Sequence, residues 1–273
     1  MTLNQLLYDV REVAPRTWAI SDHGMDVFYY ASGATGGLLI DCGFGFGDLA
    51  ALARGLDDKP LRLAATHGHP DHADGAWQLE RLFIGRADAD VLRRYCSVQA
   101  RRAMLADMSQ RDDPDAAALF AGGFDGACWA NAALPPLELL DAGYTFDLGG
   151  RRLEVVPLPG HTPGSIGLLD RANRLMFSGD AVHSGQIWLQ MPESGPLADF
   201  RAMLLGLAPL RAGFDWLLWG HSQDPAPAAL IDDLIAGVED LLAGRKTGQP
   251  HAWYGGEGLL ADFGSCSLLY KPE

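Results

Sequence analysis

The chain has 273 residues, 48% of them apolar, and acids outnumber bases 35 to 21 for a formal charge of −14. That balance excludes a protein built to neutralise a nucleic-acid backbone, and it offers no attraction to anionic membrane surfaces. No apolar run approaches the ~20 residues of a membrane-spanning helix. The opening residues, 1–9, carry neither a basic stretch nor a long apolar one, so no signal peptide is expected. Cys42, Cys96, Cys128 and Cys266 form no CxxC pair, which points to reduced thiols in a cytoplasmic protein.

Residues 1–85 alternate β-like runs with turns, at 17–20, 27–30 and 38–40, the last bounded by Gly36-Gly37 and Gly43. A helix is expected at 48–56, a buried strand at 61–65 ending at Thr66, and another strand at 81–84. From about 87 to 140 the texture turns to Ala, Leu, Met and Arg. Two or more helices are expected there, broken near Asp112-Asp113-Pro114 and Gly122-Gly123. Arg93, Arg94, Arg101 and Arg102 recur seven to eight apart and predict one solvated helix face. Strands return at 152–158, 165–169, 174–177 and 187–190, a helix at 197–210, and a strand at 216–219. The last helix is expected to be capped by Asp224, with Pro225 in its first turn, an apolar stripe from Leu230 to Leu242, and Gly244 as its stop. The order predicts α/β organisation around a two-layer sheet core, interrupted by a helical insert.

Three imidazoles and a carboxylate fall within six residues in His67-Gly68-His69-Pro70-Asp71-His72, directly after a predicted strand. Nitrogen and oxygen donors at this spacing suit zinc and, less exclusively, iron or manganese. Gly160-His161, Ser178-Gly179-Asp180 and Gly220-His221 each place one further donor just after a strand, where loops at one edge of a rigid sheet converge.

In this order, with a strand ending Asp41-Cys42-Gly43, the chain resembles the metallo-β-lactamase-fold hydrolases over most of its length, from about Arg11 to Asp224. The resemblance implies a single-domain, four-layer αββα sandwich with a helical insertion. It also implies a dinuclear zinc site at the open edge between the sheets. One metal would be held by His67, His69 and His161, the other by Asp71, His72 and His221, with Asp180 bridging them. A hydroxide shared by the metals would attack a carbonyl that one of them polarises. Asp71 would orient that nucleophile or carry its proton, and Asp41 would hold a ligand histidine in one tautomer. His183 lies where lactonases of this fold place a tyrosine; it is either a donor to a substrate oxygen or a loop histidine without a catalytic role. His23 and His251 are expected as surface or packing residues. Trp188, Tyr254 and Tyr270 are candidates for a pocket wall or for core.

The resemblance leaves several reactions open. The preferred one is hydrolysis of a small ester, lactone or thioester. An iron-dependent oxidoreductase of the sulfur dioxygenase kind and a metal-bearing sensor are the alternatives. Only Arg201 and Arg211 lie between Asp180 and His221, which gives little to hold glutathione carboxylates. The 89 residues from His72 to His161 leave room for an insert that covers the metals as a lid or forms a homodimer surface. Its Leu, Met and Phe side chains are expected to wall an apolar pocket. A small-molecule substrate is the expected partner, with no nucleic acid and no membrane.

Overall fold

The computed structural model describes residues 2–22, 24–110, 114–253 and 256–272. A short helix, α1 (Leu3–Leu7), starts on a capping box between Thr2 and Gln5. The first sheet then follows chain order: β1 (Tyr8–Ala14), β2 (Thr17–Asp22), β3 (Asp26–Ser32), β4 (Gly37–Ile40), β5 (Leu61–Ala65), β6 (Leu82–Gly85) and β7 (Leu137–Leu140). Its first four strands form an antiparallel meander, and β4 to β7 run parallel. The second sheet contains β8 (Thr145–Asp147), β9 (Arg152–Pro157), β10 (Ile166–Asp170) and β11 (Leu175–Gly179). After β12 (Gln186–Leu189) departs to a third sheet, the second is completed by β13 (Trp216–Trp219) and β14 (Ser222–Pro227). The third sheet pairs β12 with a C-terminal hairpin of β15 (Gln249–Trp253), β16 (Gly256–Asp262) and β17 (Ser267–Tyr270).

The period of two along β3 and β4 shows how these runs build layers. Phe28, Tyr30 and Leu39 pack outward against helices, whereas Tyr29, Ala31, Leu38 and Ile40 pack inward against Phe146, Leu168 and Phe177 of the second sheet. Both faces are buried, so the strands read as continuous apolar runs. On the far side of the second sheet lie α8 (Leu197–Gly206) and α9 (Leu230–Leu242), packed through Phe200, Leu204, Leu234 and Val238. Helices, sheet, sheet and helices give the expected α/β sandwich of four layers, with the third sheet beside α8 and α9.

The long segment between β6 and β7 holds α4 (Ala89–Tyr95), α5 (Val98–Met108), α6 (Pro114–Ala121) and α7 (Gly126–Asn131). They follow α2 (Leu49–Leu56), capped by Asp48, and the short α3 (Pro70–Ala73). Pro114 opens α6 and Gly122-Gly123 follows it, while Arg111, Asp112 and Asp113 lie outside the described residues. Leu92, Cys96, Leu119, Phe124 and Trp129 share one apolar cluster with Phe28 and Leu39, so these helices are core of the first layer. The segment is also not wholly helical, because 137–140 pair with β6.

Two further sequence expectations need correction. Asp224 and Pro225 do not start α9; they lie in β14, an edge strand, where a proline costs no ladder bond. Ala229 precedes α9 without a side-chain cap, and Gly244 ends it at φ 68° as expected. The four arginines do not share a helix face, since Ser97 caps a new helix between the pairs. Arg101 is completely buried, with its guanidinium donating to the Trp129 and Cys96 carbonyls at 3.1 and 3.2 Å and lying 3.4 Å from Asp74. The four cysteines are free.

Candidate metal centre

Each donor follows a strand, so the ends of β5, β9, β11 and β13 deliver them to one edge of the sandwich. His67 and His69 leave β5, and Asp71 and His72 lie in α3, whose first turn is set by Pro70. The structure brings all seven residues of the sequence pattern together in two clusters, His67, His69, His161 and Asp71, His72, Asp180, His221. Asp180 lies between them: Oδ1 is 3.3 Å from His72 Nε2, and Oδ2 is 3.0 Å from His221 Nε2 and 3.9 Å from His161 Nε2. A Cβ at Gly220 would lie 2.4 Å from both Asp180 Oδ1 and His72 Cε1, so this turn closes on the donors only as glycine.

A proton count settles which ring atoms face inward. His161 Nδ1 donates to the Trp188 carbonyl at 2.8 Å, and His221 Nδ1 to the Met25 carbonyl at 3.1 Å. His72 Nδ1 donates to Asp41 Oδ2 at 2.9 Å and His69 Nε2 to Glu193 Oε1 at 2.8 Å. The Thr66 hydroxyl donates to Asp41, so it accepts from His67 Nδ1 at 3.1 Å. Every outward nitrogen therefore carries a proton, which leaves the inward nitrogen of each ring, once neutral, to present a lone pair. In the first cluster, His69 Nδ1 stands 3.1 Å from His67 Nε2 and 3.0 Å from His161 Nε2, three lone pairs turned on one another. In the second, His72 Nε2 and Asp180 Oδ1 are buried without any hydrogen-bond partner. Such donor sets are costly as they stand and fit divalent cations.

The electrostatics agree. Burial and then the neighbouring imidazoles hold His67 well below the usual histidine range, and similar causes bring His161 to about 4, so both stay neutral. At His221 burial lowers too, but Asp180, Asp26 and Asp71 outweigh it and raise the group to about 11, so without a cation this ring is protonated and its Nε2 donates to Asp180 at 3.0 Å. Asp71 is lowered to about 2, because His72 and His221 outweigh the effect of its burial. Two imidazoles of the first cluster are thus held neutral, while the second cluster concentrates charge. Asp41 sits behind His72 at φ 64°, a strained conformation held by hydrogen bonds from the Thr66 amide and hydroxyl.

Above the donors opens a cavity of about 740 Å³. Its walls include Phe44, Met104, Trp188, Met191, Trp219 and Trp253. Of the insert, Tyr95 and Met104 reach it, whereas Phe124 is core. Most of the aromatic wall comes instead from β12, β13 and β15. His183 also lines the cavity, stacked on Trp219 with ring centroids 4.6 Å apart. Its Nδ1 accepts from the Gly185 amide at 3.0 Å, and burial lowers it to about 3, so its proton rests on Nε2. Tyr270 is core, with its hydroxyl accepting from the Gly248 amide, and His251 stacks on Trp253. His23 and Tyr254 lie outside the described residues. Sequence reasoning missed Glu193 and Asp26, which approach His69 and His221 from outside the clusters at 2.8 and 3.4 Å. The signal for Glu193 was slight: it is the one acid between Asp180 and Asp199.

A family model described as the metallo-beta-lactamase superfamily matches residues 25–90 and 109–232. Among curated proteins, the chain is 32% identical over 133 residues to the human acyl-coenzyme A thioesterase MBLAC2, covering 48% of this chain and 45% of that protein. It is 28% identical over 149 residues to the hydroxyacylglutathione hydrolase GloC of Haemophilus influenzae, covering 52% and 60%. The chain spans about half the length of the curated relatives it matches. Solved metallo-beta-lactamases share the fold at low identity. The one from Pontibacter korlensis gives a TM-score of 0.57 at 15% identity over 85% of this chain and 99% of that one. DIM-1 gives 0.60 at 12% over 86% and 98%. No helix among the described residues is long and apolar enough to cross a membrane. Motif, layered fold and family match agree, and the chain belongs to the metallo-beta-lactamase superfamily.

Proposed function

We propose that this chain is a hydrolase that holds two divalent metal ions and cleaves thioesters carrying an apolar acyl group. The observation that carries this reading is the placement of two clusters of imidazole and carboxylate donors on the floor of an aromatic-walled cavity. His67, His69 and His161 would hold one ion and Asp71, His72 and His221 the other, with Asp180 shared. The imidazole and carboxylate set suits zinc, with iron and manganese compatible. Bound there, two metals supply a water of lowered pKa and a Lewis acid for a carbonyl oxygen.

The remaining roles belong to the chain's own groups. Asp71, ionised at neutral pH, accepts on its carboxylate the proton that the attacking water gives up and passes it to the leaving thiolate, so that water is divided between the acid and thiol products. The His183 Nε2–H donates to a substrate oxygen, its tautomer fixed by the Gly185 amide. Phe44, Met104 and the tryptophans hold the acyl chain and exclude water. The helices of the insert share their core with the first sheet, which supports a single domain. One relative described above is named an acyl-coenzyme A thioesterase and the other a hydroxyacylglutathione hydrolase, which supports an acyl carrier substrate, and the apolar wall favours the acyl-coenzyme A over the glutathione kind.

A panel of acyl-CoA thioesters against a glutathione thioester tests this. Each methylene buried in the cavity is worth up to about 0.8 kcal/mol, so kcat/KM is expected to rise with chain length until the cavity fills. Trp253 is 56% exposed at the rim, so Trp253→Ala leaves the fold intact. That variant is expected to cost long chains about tenfold, or ~1.4 kcal/mol, and short ones little. A flat profile with a preference for the glutathione thioester would overturn the acyl assignment.

A further inference from the structure

Glu193 lies in the turn after β12, where an acid would ordinarily point into water. Its side chain is instead 5% exposed. Oε1 accepts from His69 Nε2 at 2.8 Å, and Oε2 accepts from the Tyr95 hydroxyl at 3.2 Å, with the Arg94 guanidinium 3.8 Å away. Tyr95, on α4 of the insert, also stands edge-on to His69 with ring centroids 5.2 Å apart. Three anchors fix the turn itself. Lys271 donates to the carbonyls of Pro192 and Ser194, on either side of Glu193, at 3.3 and 3.2 Å. The Ser194 hydroxyl donates to the His161 carbonyl at 2.8 Å, and the Gly195 amide to the Gly160 carbonyl at 2.8 Å.

A carboxylate is buried at a cost unless its charge is used. Within the first cluster, His67 and His161 lean on neutral acceptors, a hydroxyl and a backbone carbonyl, whereas His69 alone leans on a carboxylate. A carboxylate behind a ligand imidazole fixes its tautomer and makes the inward nitrogen a stronger donor. We infer that Glu193, held in place by Tyr95 of the insert, is a positioning residue that turns Nδ1 of His69 toward the three-histidine cluster and sets the metal affinity of that half of the site. This inference rests on the proposed metal centre. It makes the insert, through Tyr95, a structural partner of the three-histidine position.

The test is zinc titration of the metal-free chain against a chromophoric chelator, with cobalt spectra as a second readout. Glu193→Ala is expected to weaken one of two zinc affinities by about 10- to 100-fold, the range for such outer contacts. The other affinity should stay near its starting value. Glu193→Gln keeps an acceptor oxygen without the charge and is expected to lose less, as is Tyr95→Phe. The cobalt d–d bands should change in Glu193→Ala while the melting temperature of the metal-free protein stays constant. If Glu193→Ala does not fold, a site-selective loss in Glu193→Gln carries the same meaning. Unchanged zinc affinity in the folded variants, alongside a lost site in His69→Ala, would overturn the role of Glu193. Retention of both zincs by His69→Ala would overturn the metal centre itself.

Discussion

Replacing Asp180 with alanine is expected to reduce thioester hydrolysis about a thousandfold or more, equivalent to at least ~4 kcal/mol of transition-state stabilisation. The reason is geometric, because one carboxylate approaches His72, His221 and His161 within 3.0 to 3.9 Å and so serves both clusters. Without it, each inward nitrogen keeps its lone pair but loses the shared anion between the cations. Elemental analysis of Asp180→Ala should show the loss of about one metal per chain. Stability should fall too: burial opposes the Asp180 charge, but His221 and His72 hold it well below the usual carboxylate range, so the metal-free variant should melt below the metal-free parent near neutral pH, with the difference vanishing as acid protonates the carboxylate. Full activity in Asp180→Ala would contradict the shared-ligand reading.

The largest expected loss of stability lies elsewhere, at Arg101. Its guanidinium is wholly buried and faces Asp74, whose carboxyl is pushed up to about 7 by burial even with the arginine opposing. Arg101→Ala would leave Asp74 and the carbonyls of Trp129 and Cys96 without their partner, and a void beside them. Breaking a buried pair from one side costs about 3–5 kcal/mol, which for a chain of this size lowers the melting temperature by roughly 10 °C. The double variant Arg101→Met with Asp74→Asn should recover most of the loss, because no uncompensated charge then remains. Calorimetry of the three proteins checks this. A loss under about 1 kcal/mol for Arg101→Ala would mean that the pair contributes nothing. Asp74 stands two residues beyond His72, so this contact also seats the metal-binding loop on the insert.

Some of this was legible in the residues and some was not. The strands of the inner layers announced themselves because both their faces are buried, and runs such as 61–65 and 216–219 are short, largely apolar and bounded by turn residues. The HGHPDH segment was legible because three imidazoles so close together have few structural uses. Single donors such as His161 and Asp180 gained meaning only by sharing a strand-end position with it. Arg101 was misread because spacing cannot show that Ser97 breaks the helix between the arginine pairs. Asp224-Pro225 imitates a helix start, yet a sheet edge tolerates the same pair. The C-terminal strands went unpredicted because they pair with the rest of the fold through β17, whose partner β12 lies 81 positions earlier, with β16 and β15 added in turn at its edge. Glu193 was invisible for a related reason: its meaning comes from His69, 124 positions earlier.

Metal stoichiometry with matched activity tests the central claim most directly. Freshly purified protein should contain about two divalent metals per chain. Removal by a chelator should abolish acyl-thioester hydrolysis, and two equivalents of zinc should restore it. A single tightly held iron with thiol-dependent oxygen uptake, or undiminished hydrolysis by the metal-free chain, would contradict the account.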